Sequence, residues 1–370
     1  CVICGSGSGI TVDDHDLPLR LINHCSFEPT PTDATLKIFI CNSCGHASNL
    51  NANHFGTRLN DFFLSREYVH HSEARFHEKS DGGVLSMNSP TYVHMQAILI
   101  RKYMQKKGSP KSVLDIGCFD GELLGELRKL APELMTAGND VFMHPKYLKT
   151  SGSSFFSTRL EAAIESVCTS PSDGLGCAIL SHSLMYIEHA SDLLLELRLH
   201  LGVNGFIYIE VPSLAVRPSS VLLGDQYHYF TKSSINNLAS YCGFSVEYID
   251  TLSAKGDLIA ILTKTHDFQD SASLPKHHRI FTSDIHETMP PNPVDRLIKT
   301  KAEMIEFFKS RSPAILGASY SAAFAMQCIV GEGMTASVID ESPRRKTFYN
   351  MPVYPSTKLR DIKSLIIPMG

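Results

Sequence analysis

Between Lys111 and Lys264 short β-branched or apolar runs (SVLDIG, CAILSH, FIYIEVP, SVEYID and LIAILT) alternate with stretches of helical periodicity. Runs of this length, each followed by a helical pattern, predict a doubly wound α/β sheet. A second alternation closes the chain. A helix from about Val294 to Ser310 precedes the strand PAILGAS, a Gly/Ala/Ser-rich turn opens a helix over Tyr320 to Val330, and TASVIDESP supplies another strand. That order predicts a smaller β-α-β lobe of the Rossmann type. Residues 1–60 lack helical periodicity, and residues 61–111 form a His-rich helical connector broken at Gly82-Gly83, with a helix over Ser89 to Lys107. The polar, proline-broken stretch 266–293 reads as a linker. The predicted organisation is therefore 1–60, 61–111, 112–265, 266–293 and 294–370.

Composition narrows the class. Apolar residues make up 43% of the 370 residues and charged residues 19%, enough apolar surface for several packed cores. A formal net charge of −4, with no block of like charges, speaks against nucleic acid as a partner. No apolar run reaches the ~20 residues that cross a bilayer, and no signal-peptide pattern opens the chain, so a cytoplasmic location is expected. The first residue is a cysteine and the chain stops in LIIPMG, so further residues are expected at either end.

Four of the ten cysteines form two Cys-x-x-Cys pairs, Cys1/Cys4 and Cys41/Cys44. Each pair aims two thiolates at one point, and the glycine after it (Gly5, Gly45) relieves backbone crowding. The expectation is an N-terminal zinc ribbon with a closed, structural Cys4 site. Most of the seventeen histidines are dispersed and suggest no second metal.

The run VLDIGCFDGELL ends an apolar strand in Asp115-Ile-Gly117-Cys-Phe119-Asp120-Gly121, and a helix opens at about Glu122. Glycines at such a turn let backbone approach a ligand, and the helix N-terminus offers unpaired N–H groups. Only two glycines are present, so the dinucleotide fingerprint is incomplete. Asp140 ends the next strand, placed to accept hydrogen bonds from ribose hydroxyls.

This acidic strand-turn pattern resembles the class I S-adenosylmethionine (SAM) dependent methyltransferases. The resemblance implies a Rossmann-like methyltransferase sheet in which Asp115, Gly117, Phe119, Asp120, Gly121 and Asp140 bind SAM. The stretch 177–214 resembles the region of the family where His-x-x-x-His follows a strand, with His182 at the first histidine and Tyr186 in place of the second. His71 is assigned to the same pocket. The order of a four-cysteine domain, a SAM fold ending in EVPSL and a lobe carrying ILGASYSAAF and SVIDESP resembles the deoxysugar C-methyltransferases, which act on nucleotide-linked 4-keto sugars. The partner implied is a small-molecule acceptor, a nucleotide sugar.

C-methylation beside a ketone needs a base for the α-proton and stabilisation of the enolate. The matching segments are Tyr68-Val69-His70-His71-Ser72 and Asp225-Gln226-Tyr227-His228-Tyr229-Phe230-Thr231, both altered from the family form. His228 is expected as base, assisted by Tyr227 or Asp225, with His70 or Tyr68 closing over the substrate. Two other readings stay open: an O- or N-methyltransferase with the same architecture, and a non-catalytic SAM-binding or scaffold descendant. Oligomeric state is not legible in the sequence.

Overall fold

The computed structural model describes residues 1–4, 6–13, 19–22, 35–52, 92–141, 143, 147–157, 160–168, 174–252, 256–265, 293–311, 313–317, 319–340, 346–361 and 365–366. Tyr68, His70, His71, most of the connector and nearly all of the 266–293 linker lie outside the described residues.

At the N-terminal end, β1 (Gly9–Val12), β2 (Ile38–Cys41) and β3 (Ala47–Asn49) form an antiparallel meander. The helix α1 (Tyr92–Lys106) follows, with Val93, Ala97, Ile100 and Met104 buried along one stripe at helical spacing. The central unit then runs β4 (Ser112–Ile116), α2 (Glu122–Leu130), β5 (Met135–Asp140), α3 (Tyr147–Ser151), β6 (Ser154–Ser157), α4 (Leu160–Val167), β7 (Leu175–Ser181), α5 (Ala190–His200), β8 (Leu201–Pro212), β9 (His228–Tyr229), α6 (Lys232–Tyr241), β10 (Phe244–Leu252) and β11 (Asp257–Lys264).

Seven of these strands make one sheet in the order β10-β11-β8-β7-β4-β5-β6. β8, β7, β4, β5 and β6 are parallel, while β11 and β10 return antiparallel. β4 and β7 are buried along nearly their whole length, as expected for parallel strands covered on both faces. Leu114, Ala178 and Ile209 face α4, α5 and α6, whereas Val113, Ile179 and Tyr208 face α1 and α2. The five strand segments and the crossover helices read from the periodicity are all present.

The four-cysteine region differs from a self-contained ribbon. Its sheet has the order β1-β2-β3-β9, so the fourth strand comes from inside the central unit, with Ala47 opposite Tyr229 and Ser48 opposite His228. Ile3, Cys41 and Cys44 pack into the same apolar cluster as Leu184, Met185 and Phe230.

The last part of the chain comprises α7 (Pro293–Arg311), β12 (Ala314–Leu316), α8 (Tyr320–Val330), β13 (Ser337–Asp340), β14 (Thr347–Phe348), β15 (Met351–Pro355) and β16 (Leu365–Ile366). Its sheet has the order β14-β15-β13-β12-β16 and is parallel except at β14. This lobe is not a separate bead, because its buried residues Leu297, Ala322 and Met326 share a cluster with Leu21, Ile38, Leu222 and Tyr229. Gln327 clamps the N-terminal region: Arg20 N–H donates to its Oε1 at 2.7 Å, and its Nε2 donates to Arg20 O at 2.9 Å. Among the described residues no helix is long and apolar enough to cross a membrane.

Candidate functional site

β4 lies between β5 and β7, the point where strand order reverses in an open α/β sheet, and ligands bind beyond the strand ends there. The chain leaves β4 through Gly117 (φ +79°) and enters α2 through Gly121 (φ +74°). A side chain is excluded at both places: a Cβ on Gly117 would lie 2.5 Å from Ser183 Cβ, and one on Gly121 would lie 2.6 Å from Ser151 Cβ. Phe119 also holds positive φ, at 45°. Its N–H donates to Asp140 Oδ2 at 2.9 Å, and Val141 N–H donates to Oδ1 at 2.7 Å, which fixes the carboxylate beside the turn. Asp120 Oδ1 accepts from Glu122 N–H at 3.2 Å and so caps the turn locally.

Asp115 is 3% exposed and its Oδ1 meets no donor among the described residues. Burial, followed by the nearby carboxylates of Asp140 and Asp120, pushes its carboxyl up to about 8. A buried carboxyl oxygen without a donor, a backbone turn set by two positive-φ glycines and a second acid at the end of β5 fit a ligand bearing an amine and a ribose. Of the eight residues read from the sequence as binding SAM, Asp115, Gly117, Phe119, Asp120, Gly121 and Asp140 lie around the adjacent ends of β4 and β5.

His182 follows the last residue of β7 and takes a left-handed backbone, φ +53°. Its Nε2 lies 3.5 Å from Glu210 Oε1 and 3.8 Å from Asp257 Oδ2. Glu210 is fully buried near the end of β8, and Asp257, 2% exposed, opens β11. Glu210 Oε2 accepts from Tyr208 Oη at 2.7 Å and from Gln96 Nε2, which also donates to Ser181 Oγ at 3.0 Å. Arg217 Nη1 stands 3.2 Å from Asp257 Oδ1. Sequence reasoning missed Gln96, Tyr208, Glu210, Arg217 and Asp257. One sign was legible, a glutamate inside the continuous apolar strand FIYIEVP, where an unpartnered charge is costly. Tyr186, the departure from the second histidine, ends a short 3-10 turn and is half-buried.

The loop expected to carry the base runs into β9 of the small four-stranded sheet. His228 is 2% exposed, lies in β9 and has both ring nitrogens engaged. Nε2 faces Ile187 O at 2.9 Å and Glu188 O at 3.1 Å, so it carries the proton and donates. Nδ1 must then accept from His46 Nε2, 3.1 Å away. Burial holds His228 below the usual imidazole range, and burial together with His228 holds His46 well below it, so the pair is neutral. Both ring nitrogens of His228, the residue expected as base, are thus engaged. Asp225 is buried at 7% exposure, whereas Tyr227 is half-buried, with burial and then Glu188 raising its phenol.

The four knuckle sulfurs meet: Cys1 Sγ to Cys44 Sγ is 3.5 Å, Cys4 Sγ to Cys41 Sγ is 3.6 Å, and all four lie within 4.8 Å of one another. Tetrahedral zinc with Zn–S of ~2.3 Å would set sulfurs about 3.8 Å apart. The donor set and its spacing therefore fit a zinc ion. Hydrogen bonding from Cys44 lowers the Cys4 thiol to about 5, and the Cys44 thiol is raised by the same contact and by burial. Gly45, at φ +67°, makes the knuckle turn.

The parallel sheet and the glycine turn after β4 define an open, doubly wound α/β domain. Residues 94–249, less than half of the chain, match the family described as "Methyltransferase domain". Among solved structures, the chain is similar to the pyocyanin biosynthetic protein PhzM (18% identity, 46% of this chain and 56% of that one, TM-score 0.35). It is similar to NcsB1, an O-methyltransferase from neocarzinostatin biosynthesis solved with SAM and 2-hydroxy-5-methyl naphthoic acid (16% identity, 46% and 57%, TM-score 0.35). The plantazolicin methyltransferase BpumL, solved with a desmethyl analogue and SAH, is likewise similar (19% identity, 46% and 82%, TM-score 0.38). The matched part spans little more than half the length of PhzM and NcsB1. No curated protein matches the chain.

Proposed function

We propose that this protein is a SAM-dependent methyltransferase acting on a small-molecule acceptor, by C-methylation of a nucleotide-linked keto-deoxysugar. The observation that supports the donor half is the end of β4: a turn set by two positive-φ glycines beside the buried Asp115, with Asp140 fixed by two backbone N–H groups. In this reading Asp115, Gly117, Phe119, Asp120, Gly121, Asp140 and His182 hold SAM, which supplies an electrophilic methyl group when bound. Asp140 accepts from the ribose hydroxyls through lone pairs that its two backbone donors leave over.

The acceptor half rests on the resemblance of the three-part order and on the packing of the C-terminal lobe against the same core as β9. Tyr227, half-exposed, donates a hydrogen bond to the acceptor, while His228 and Asp225 hold its loop. The resemblance assigns closure over the substrate to His70 or Tyr68 and a place in the donor pocket to His71, all three outside the described residues. The four cysteines hold a structural zinc, which takes no part in methyl transfer because a closed Cys4 shell has no open position.

Two measurements test the reading. Isothermal titration with SAM should give saturable binding in the micromolar range, and its absence at high micromolar ligand would remove the enzyme reading. Incubation with a nucleoside-diphosphate 4-keto-deoxysugar should then add one methyl group, located on carbon by NMR. A methyl on oxygen or nitrogen would replace the C-methylation reading.

A further inference from the structure

The knuckle Cys41-Asn-Ser-Cys44 is closed by two bonds at 2.9 Å, Gly45 N–H to Cys41 O and Cys41 N–H to His46 O, so the cysteines set the position of His46. His46 is fully buried just ahead of β3. Its Nε2–H donates to His228 Nδ1 at 3.1 Å, and His228 Nε2–H donates to Ile187 O at 2.9 Å and Glu188 O at 3.1 Å. Two rings in series therefore join the knuckle to the stretch that follows β7. A backbone route runs beside them: Asn49 N–H donates to Tyr227 O at 3.0 Å, and Tyr227 N–H donates to Met185 O at 2.9 Å.

That stretch walls the turn after β4. Ser183 is 8% exposed and packs on Gly117, where a Cβ would come within 2.5 Å of its own. The 3-10 turn Leu184–Tyr186 is bonded internally through Tyr186 N–H to Ser183 O and Ile187 N–H to Leu184 O. A piece this short holds little order by itself, so outside groups fix where it lies. Leu184 and Met185 share an apolar cluster with Ile3, Cys41 and Cys44.

We infer that His46 is a positioning residue for the donor site: acting through His228, it holds residues 183–188 against Gly117 and ties SAM affinity to the metal state of the four cysteines. The inference rests on the methyltransferase and zinc readings above. An apolar side chain would fill the same space, and His46 Nδ1 has no hydrogen-bond partner among the described residues. What a histidine adds at this place is the N–H that reaches His228. A zinc ion bound by the four thiolates neutralises charge that would otherwise drive these sulfurs apart. All four lie within 4.8 Å of one another, so their order, and that of His46 just past Gly45, depends on it. Coupling of this kind is reciprocal: the factor by which the ordered knuckle tightens SAM is the factor by which bound SAM tightens the metal.

The test is calorimetry with SAM on the full chain with its zinc, after removal of the zinc by a chelator, and after zinc is restored. Stripping should raise the SAM dissociation constant about tenfold, and zinc should bring it back. In zinc-loaded protein His46→Ala should weaken SAM about fivefold, whereas His46→Gln, whose amide offers an N–H at similar reach, should recover most of the loss. Hydrogen exchange on the parent chain carries the test if His46→Ala does not fold: stripping should speed exchange at Tyr186, Ile187 and Tyr227 and leave the β10–β11 hairpin unchanged. Faster exchange throughout would make the metal a requirement of the whole fold and overturn the coupling. So would a SAM dissociation constant that neither stripping nor His46→Ala moves, or a protein that binds no zinc. No SAM heat from the zinc-loaded chain removes the methyltransferase reading itself, whereas SAM heat indifferent to the metal removes only the role of His46.

Discussion

A methyl group at position 117 would meet Ser183 Cβ at 2.5 Å and would have to sit on a backbone at φ +79°. Gly117→Ala is therefore expected to cost about 2 kcal/mol of stability and to weaken SAM binding, checked by scanning calorimetry and isothermal titration. Asp115 gives a pH signature. Its folded carboxyl is raised to about 8 by burial and by Asp140 and Asp120, whereas the unfolded chain titrates near the usual carboxylate value of 3.8. The folded state keeps a proton that the unfolded chain gives up. The group's favourable contribution is thus complete below pH ~4 and is lost as pH climbs to about 8, at roughly 1 kcal/mol per unit. Asp115→Asn should flatten that decline without SAM, giving a higher melting point than the parent at pH 8 and little difference near pH 4.

The geometry of the β4 turn was legible because a turn between strand and helix makes local demands: φ above zero calls for glycine, and an acid at a strand end stays at the edge of the sheet wherever the sheet goes. Gln96, His182, Glu210 and Asp257 were not readable as a group. They come from one helix and three strands, and only the sheet order β11-β8-β7 brings them together. Burial of Glu210 inside an apolar run could be read, but its partners could not.

At the scale of elements, the pairing of β3 with β9 reassigns an entire loop. His228 matched a catalytic position by order along the chain, and nothing in its neighbourhood told that His46 would occupy its Nδ1. His46→Ala should leave a buried acceptor without its donor and cost about 1–3 kcal/mol, measured by thermal or chemical denaturation. His228→Gln should likewise lower stability, and methyl-transfer activity that falls only as far as the folded fraction would agree with a positioning role. The cysteine cluster makes its own prediction. Metal analysis of the purified protein should give about one zinc per chain, and strong chelation at neutral pH should expose reactive thiols and lower the melting point. Protein that carries no zinc and melts alike with and without chelator would refute the metal reading.

Over the whole molecule, boundaries that the sequence marks by composition are crossed by packing. Leu21 and Ile38 near the N-terminus, Leu222 in the central unit and Met326 in the last lobe share one apolar cluster. Deleting the chain from residue 293 would uncover that cluster, and the truncated protein is expected to aggregate or to melt well below the full chain. Gln327→Ala tests the same interface more gently. It removes both hydrogen bonds to the Arg20 backbone and should cost about 1–2 kcal/mol in denaturation. Strands and helices could be read here because periodicity is a property of a few neighbouring residues. Docking between the units depends on surfaces assembled from distant segments, which no local pattern encodes.

His46 and His228 are 182 residues apart along the chain. A nascent polypeptide therefore displays all four cysteines well before the strand that completes their sheet has left the ribosome. Until then β3 is an open edge with unpaired N–H and C=O groups, a template for the wrong neighbour. Display of the cysteines and sheet closure are thereby split in time during synthesis, and the cysteine unit acquires its finished edge only when the central unit has been made.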